Sequence, residues 1–191
     1  MRALASISLA VLGCSFFTNP SFAQVTNLWA AFPATKLESF ETNVGVVILK
    51  ATTELGRISA SAGEVAVKCR EITDTSTGHK EQGIAIEITQ RDRLKDTMLI
   101  DYDEIPSLSN GIDYLNNLDM NATSLNALDA VFTTKGGFRI AALGTRGTGV
   151  IQFGVRDTRT GSIPIILSRP QMTQLSFLLD KAKAMLDALR K

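Results

Sequence analysis

The hydrophobic period of this chain changes from two to 3.6 residues, and it does so twice. From Val44 to Asp101 apolar and polar residues alternate. Val65, Val67 and Cys69 share one face of one run, Ile84, Ile86 and Ile88 share one face of the next, and Met98-Leu99-Ile100 ends the series. Alternation of this kind marks half-buried strands. At Ile105 the spacing becomes helical, with Ile105, Leu108, Ile112, Leu115 and Leu118 on one stripe. From Leu128 the alternation returns, carrying Ile151 and Phe153 inward. After Ser168 it gives way to a second stripe of Leu175, Leu178, Leu179, Ala182, Leu186 and Leu189. The pattern predicts an α+β fold of two ββββα units, residues 44–120 and 128–191, with antiparallel sheets packed against two amphipathic helices.

Local punctuation supports that division. Strands are expected over 44–59, 64–73, 83–90 and 97–101, then 128–134, 138–144, 148–156 and 163–167. Asp74-Thr75-Ser76-Thr77-Gly78 and Asp157-Thr158-Arg159-Thr160-Gly161 read as hairpin turns, where Asp accepts local backbone bonds and Gly supplies a positive φ. Arg91-Asp92-Arg93, Lys135-Gly136-Gly137 and the Gly144–Gly149 stretch read as further turns. Asp103 is the expected cap of the first helix, with Pro106 in its first turn. Ser168-Arg169-Pro170-Gln171 is a capping box for the second. An offset of 67 residues aligns Ile84 with Ile151, Ile100 with Leu167, Ile105 with Met172, Leu108 with Leu175 and Ile112 with Leu179. The two Asp-to-Gly turns lie 83 residues apart, so they belong to different hairpins.

The chain has 191 residues, 45% of them apolar and 20% charged, which suits a folded domain with a real core. Its start reads as a secretory signal over residues 1–23: Arg2, a short apolar run, then Ser21-Phe22-Ala23 before a cut at Gln24. Val11-Leu12-Gly13-Cys14 offers the alternative of a lipidated Cys14, which would anchor the chain to lipid. Either route predicts export, to the periplasm or the outside. Residues 24–43, with Trp29, Phe32 and Phe40, read as a lead-in strap. No later stretch is long and apolar enough to span a bilayer. Without residues 1–23 the lone cysteine is Cys69, on the same alternating face as Val65 and Val67, and it reads as a buried small hydrophobe.

Charge is balanced in total and lopsided along the chain. Residues 24–129 carry 9 Lys/Arg and 16 Asp/Glu; residues 130–191 carry 10 and 3. Two readings follow. The halves dock with complementary surfaces, or the second half presents an anion-binding face built from Lys135, Arg139, Arg146, Arg156, Arg159 and Arg169.

A ββββα unit occurring twice resembles the topology of the Whirly and PUR-repeat families. The resemblance implies single-stranded nucleic acid bound on curved antiparallel sheets. Lys135-Gly136-Gly137-Phe138-Arg139 is similar to the Lys-Gly segment of Whirly proteins, but it lacks their second lysine, so no site residue follows from it. The chain also resembles small exported bacterial proteins whose strand ends in a stretch like Asp101-Tyr102-Asp103-Glu104, which implies export and no particular activity.

Catalytic and metal chemistry find little material. One His and one Cys in the mature chain do not make a zinc site. Asp101, Asp103 and Glu104 are better suited to a helix N-terminus than to a hard cation. His79 sits in a turn between Gly78 and Lys80, and no nucleophile elbow or phosphate loop is present. No cofactor and no metal are expected. In the basic half the aromatics are Phe132, Phe138, Phe153 and Phe177, with Phe153 and Phe177 assigned to core faces. Balanced charge and export argue against a nucleic-acid partner. The expectation is an exported, non-enzymatic binding or envelope-associated protein. The alternatives are an anion or single-stranded nucleic acid binder using residues 130–170, and a small hydrolase. The sequence leaves the partner open, a homodimer included.

Overall fold

The computed structural model describes residues 34–90 and 95–190. The signal read in residues 1–23, Cys14, Trp29, Phe32 and the Arg91-Asp92-Arg93 turn lie outside the described residues. Along the chain run α1 (Lys36–Glu41), β1 (Ile48–Ala60), β2 (Gly63–Asp74), β3 (Lys80–Gln90), β4 (Asp96–Asp101) and α2 (Ile105–Asn117). Then follow β5 (Ala127–Thr133), β6 (Phe138–Thr145), β7 (Ile151–Asp157), β8 (Ile165–Leu167) and α3 (Arg169–Leu189). Strands β1 to β4 make one antiparallel sheet in chain order and β5 to β8 make a second. The architecture is two ββββα units.

The two Asp-to-Gly turns show why the sequence repeats poorly while the fold repeats well. Asp74 Oδ1 accepts from the Ser76 and Thr77 amides at 2.8 and 3.3 Å, and Gly78 has φ +71°. This turn joins β2 to β3. Asp157 Oδ1 accepts from the Arg159 amide at 2.8 Å, and Gly161 has φ +66°. That turn joins β7 to β8, a different hairpin of its unit.

Some edges differ from the sequence expectation. β1 starts at Ile48 rather than Val44, β7 at Ile151 rather than Thr148, and β8 at Ile165 rather than Ile163. Val44, Thr148 and Ile163 are exposed, and none of the three has a partner in the strand ladders. Asp103 does not cap α2. A 3-10 turn, Tyr102–Glu104, intervenes, and Pro106 still falls in the first turn of α2.

The helices are exchanged between the units. α3, from the second unit, packs on β1 and β2 of the first; α2, from the first, packs on β5 and β6 of the second; and the two helices pack on each other. One apolar cluster therefore runs through both units, and each completes the other's core. The paired positions Ile105/Met172, Leu108/Leu175 and Ile112/Leu179 are all fully buried in it. Two assignments fail. Leu189 is 55% exposed and Phe177 is 64% exposed. Phe177 follows Leu175 by two residues, a rotation of about 200°, which carries it off the buried stripe.

α1 lies on the other face of the first sheet, away from α3. Six residues do not hold a helix in isolation, so its ends are fastened. Thr35 Oγ1 accepts from the Glu38 amide at 3.0 Å and Glu38 Oε2 reaches back to the Thr35 amide at 3.3 Å. Asp101, 3% exposed at the end of β4, accepts from the Lys36 and Leu37 amides at 2.9 and 3.1 Å. Leu37 and Phe40 then pack on Ile72, Ala85 and Leu99. Replacing Asp101 by Ala leaves buried N–H donors unpaired, at a cost of about 1–3 kcal/mol. The expected result is a lower urea midpoint and faster proteolysis after Lys36, with unchanged strand content by circular dichroism.

Candidate functional site

The second sheet has a face that no described element covers. Its inner side chains, Phe138, Ile140, Ala142, Phe153, Val155, Ile165 and Leu167, are all buried in the shared core. Alternation sends the intervening residues of β5 to β8 outward, and register arranges them in rows. Thr133, Arg139 and Arg156 make the first row; Val131, Ala141, Gly154 and Ile166 the second; Asp129, Leu143 and Gln152 the third; Ala127 and Thr145 end the series. Val131, Leu143 and Ile166 are 42–49% exposed, high for large apolar side chains on a sheet.

Arg139 and Arg156 stand directly opposite each other on β6 and β7. Both are half-buried, and neither has a hydrogen bond or ion pair among the described residues. Like charges opposed across a ladder repel, so this pair is a local cost to the fold.

The other candidate cations are scattered. Arg146 donates to the carbonyls of Met120 and Thr123 and fastens the connector before β5. Arg159 is bound to Glu38, to Asp157 at 3.4 Å and to the Thr97 carbonyl at 3.3 Å, tying the β7–β8 turn to α1 and β4. Arg169 donates to the Leu118 carbonyl at 3.1 Å and lies over the Phe153 ring, 5.3 Å from its centre. Lys135 is exposed at the β5–β6 turn, where its own amide donates to Glu104 Oε1 at 2.8 Å. Of the six, the structure brings only Arg139 and Arg156 together on the open face.

The third and last rows border a cavity of about 660 Å³, lined by Ala127, Asp129, Leu143, Thr145, Val150 and Gln152 among others. Sequence reasoning missed this cavity. Its signal was the outward pair Ala127 and Leu143, apolar residues on the strand faces opposite the core, with the exposed Val150 just before β7.

The remaining reactive side chains are spoken for. Burial pushes the Cys69 thiol up to about 11, and its Sγ lies 3.7 Å from the Ala182 carbonyl. His79 is exposed, stacks on Phe40 with ring centres 5.3 Å apart, and lies 3.5 Å from Glu81. The three acids at the end of β4 diverge. Asp101 caps α1 and Glu104 receives the Lys135 amide, while Asp103 pairs with Lys36 at 2.9 Å, which holds its carboxyl below the usual range. Among the described residues no three His, Cys, Asp or Glu are grouped to hold a metal ion, and no helix is long and apolar enough to cross a membrane.

No family model matches this chain, and no curated protein matches it. A solved structure of the plant transcriptional regulator PBF-2, a Whirly protein, is similar over 75% of this chain and 85% of that one, at 11% identity and a TM-score of 0.31. A similarity of that size carries no argument about ligand or site. The expected likeness to Whirly proteins stands at the level of antiparallel sheets with helices.

Proposed function

We propose that this is an exported, non-catalytic binding protein whose ligand face is the outer side of the second sheet, and whose ligand carries an anionic group. The observation that carries the reading is the opposed pair Arg139 and Arg156. Two guanidiniums side by side, with no carboxylate of the described chain on them, repel each other until an anion lies between. The fork of donors on each suits a carboxylate or phosphate.

The same face speaks against single-stranded nucleic acid. Such ligands stack their bases on exposed aromatic rings. Phe138 and Phe153 are buried, Phe132 packs against the core, and Phe177 is on α3, so no aromatic side chain projects from this side of the sheet. In this reading residues 1–23 supply the export signal. Cell fractionation with and without residues 1–23 tests that part, and a full-length chain retained in the cytoplasm contradicts it.

Arg139→Gln and Arg156→Gln test the site. Each removes one member of a repelling pair, so the melting temperature of ligand-free protein is expected to hold or rise. Binding of small anions (acetate, inorganic phosphate, octanoate), followed by calorimetry, is expected to weaken in each variant, to vanish in the double variant, and to fall as salt rises. Equal affinities in wild type and double variant contradict the proposal. A marked loss of stability in the variants gives the arginines a structural role and contradicts it as well.

A further inference from the structure

The open face grades from charge to hydrocarbon along one direction. Arg139 and Arg156 form one end. The next row has the small, half-buried Ala141 as its floor, between Val131 on one side and, past the buried Gly154, Ile166 on the other. Gly154 itself is buried, and Pro164 and Ile166 fill the space above it: a Cβ built there meets Pro164 Cβ at 3.3 Å and Ile166 Cδ1 at 3.7 Å, so these two wall the row on that side. Small residues flanked by larger ones make a trough. It leads past Leu143 into the cavity of about 660 Å³ beside Val150. From Arg139 to Leu143 is four residues along β6, about 14 Å. Asp129 is exposed at the cavity end without an ion pair among the described residues, so an anionic head is repelled from that end and drawn to the arginines.

The first sheet shows what such a surface accepts. Its outer floor of Ile72, Ala85 and Leu99 is filled by two apolar side chains of the chain's own α1, Leu37 and Phe40. The second sheet has no such helix among the described residues.

From this gradient we infer that the ligand is a monomeric single-chain amphiphile with a small anionic head, such as a medium-chain carboxylate. The head sits between Arg139 and Arg156, and the hydrocarbon lies over Ala141, beside Ile166 and Pro164, toward Leu143 and the cavity. This rests on the anion reading above and adds the tail.

The test is a calorimetric ladder of butanoate, hexanoate, octanoate and decanoate, each below its micellar concentration, with 1-octanol as the neutral control. Affinity is expected to rise about two- to fourfold per methylene while the added carbon is buried in the trough. Octanol is expected to bind about tenfold or more weakly than octanoate, because it lacks the charge-assisted bonds. Leu143→Asp, and independently Ala141→Leu, which fills the floor, should weaken decanoate about tenfold and leave butanoate unchanged. Melting curves establish that each variant is folded. Affinity independent of chain length but still dependent on the two arginines overturns the amphiphile and leaves the anion site standing. Loss of all anion binding overturns both. Binding only to vesicles of anionic phospholipid, with none to the monomers, overturns the inference in favour of a membrane surface. A solution dimer that Leu143→Asp dissociates places a second copy in the trough and overturns it too.

Discussion

Replacing Leu179 with alanine is expected to lower the melting temperature by roughly 4–20 °C. Leu179 is fully buried in the cluster shared by both sheets and both helices. Truncating a core leucine costs about 2–5 kcal/mol through lost transfer energy and the cavity left behind. Domains of this size have about 5–15 kcal/mol in all, and each kcal/mol moves the melting temperature by about 2–4 °C. Ile112, its counterpart at the 67-residue offset, is equally buried, and Ile112→Ala should cost a similar amount. Lys183→Ala is the control on the same helix as Leu179. Lys183 pairs with Asp187 at 2.8 Å at the surface and lies over the Tyr102 ring, and its loss should leave the melting curve close to wild type. Equal losses at positions 179 and 183 would show that α3 does not bury the stripe described here.

Gly136→Ala is expected to be the more damaging change, although it adds one methyl group. Gly136 is buried in the β5–β6 turn, and a Cβ there would lie 1.9 Å from the Leu99 carbonyl oxygen in β4. The obstacle is the backbone of a paired strand, so no side-chain rotation relieves it. The turn of one unit must move away from the sheet of the other. Overpacking costs about 1–3 kcal/mol when side chains can adjust, and here about 3 kcal/mol or more is expected, read as a shift of the urea midpoint. Gly147→Ala is the control: nothing lies within 4 Å of the Cβ it would add, and it should be neutral or slightly stabilising. If both substitutions behave alike, the contact between the β5–β6 turn and β4 is not part of the fold in solution.

Much of this architecture was legible because period is a local property. Alternation at Val65-Val67-Cys69 and Ile84-Ile86-Ile88, then the stripe Ile105-Leu108-Ile112, identify strands and helix without any long-range contact. What was not legible depends on which segments meet. No local signal says that α2 and α3 exchange sheets, or that Asp101 fastens α1 rather than joining in the start of α2. Leu189 continues the stripe of Leu175, Leu179 and Leu186 in sequence and is nonetheless 55% exposed. The candidate site divides on the same line. Six cations cluster along residues 130–170, but partners in three dimensions decide their roles. Arg146, Arg159 and Arg169 are bound to carbonyls, to carboxylates or over a ring. Arg139 and Arg156 become neighbours only through the register of β6 with β7, which alternation alone does not fix.

The most direct measurement is amide NMR mapping of the protein titrated with octanoate. The account predicts that the shifts concentrate on Arg139, Ala141, Leu143, Gly154 and Arg156, and that they disappear in the Arg139→Gln/Arg156→Gln double variant. Shifts centred instead on the exposed half of β1, on α1 and His79, or around Phe177 on α3 would contradict it, as would a spectrum that octanoate leaves unchanged.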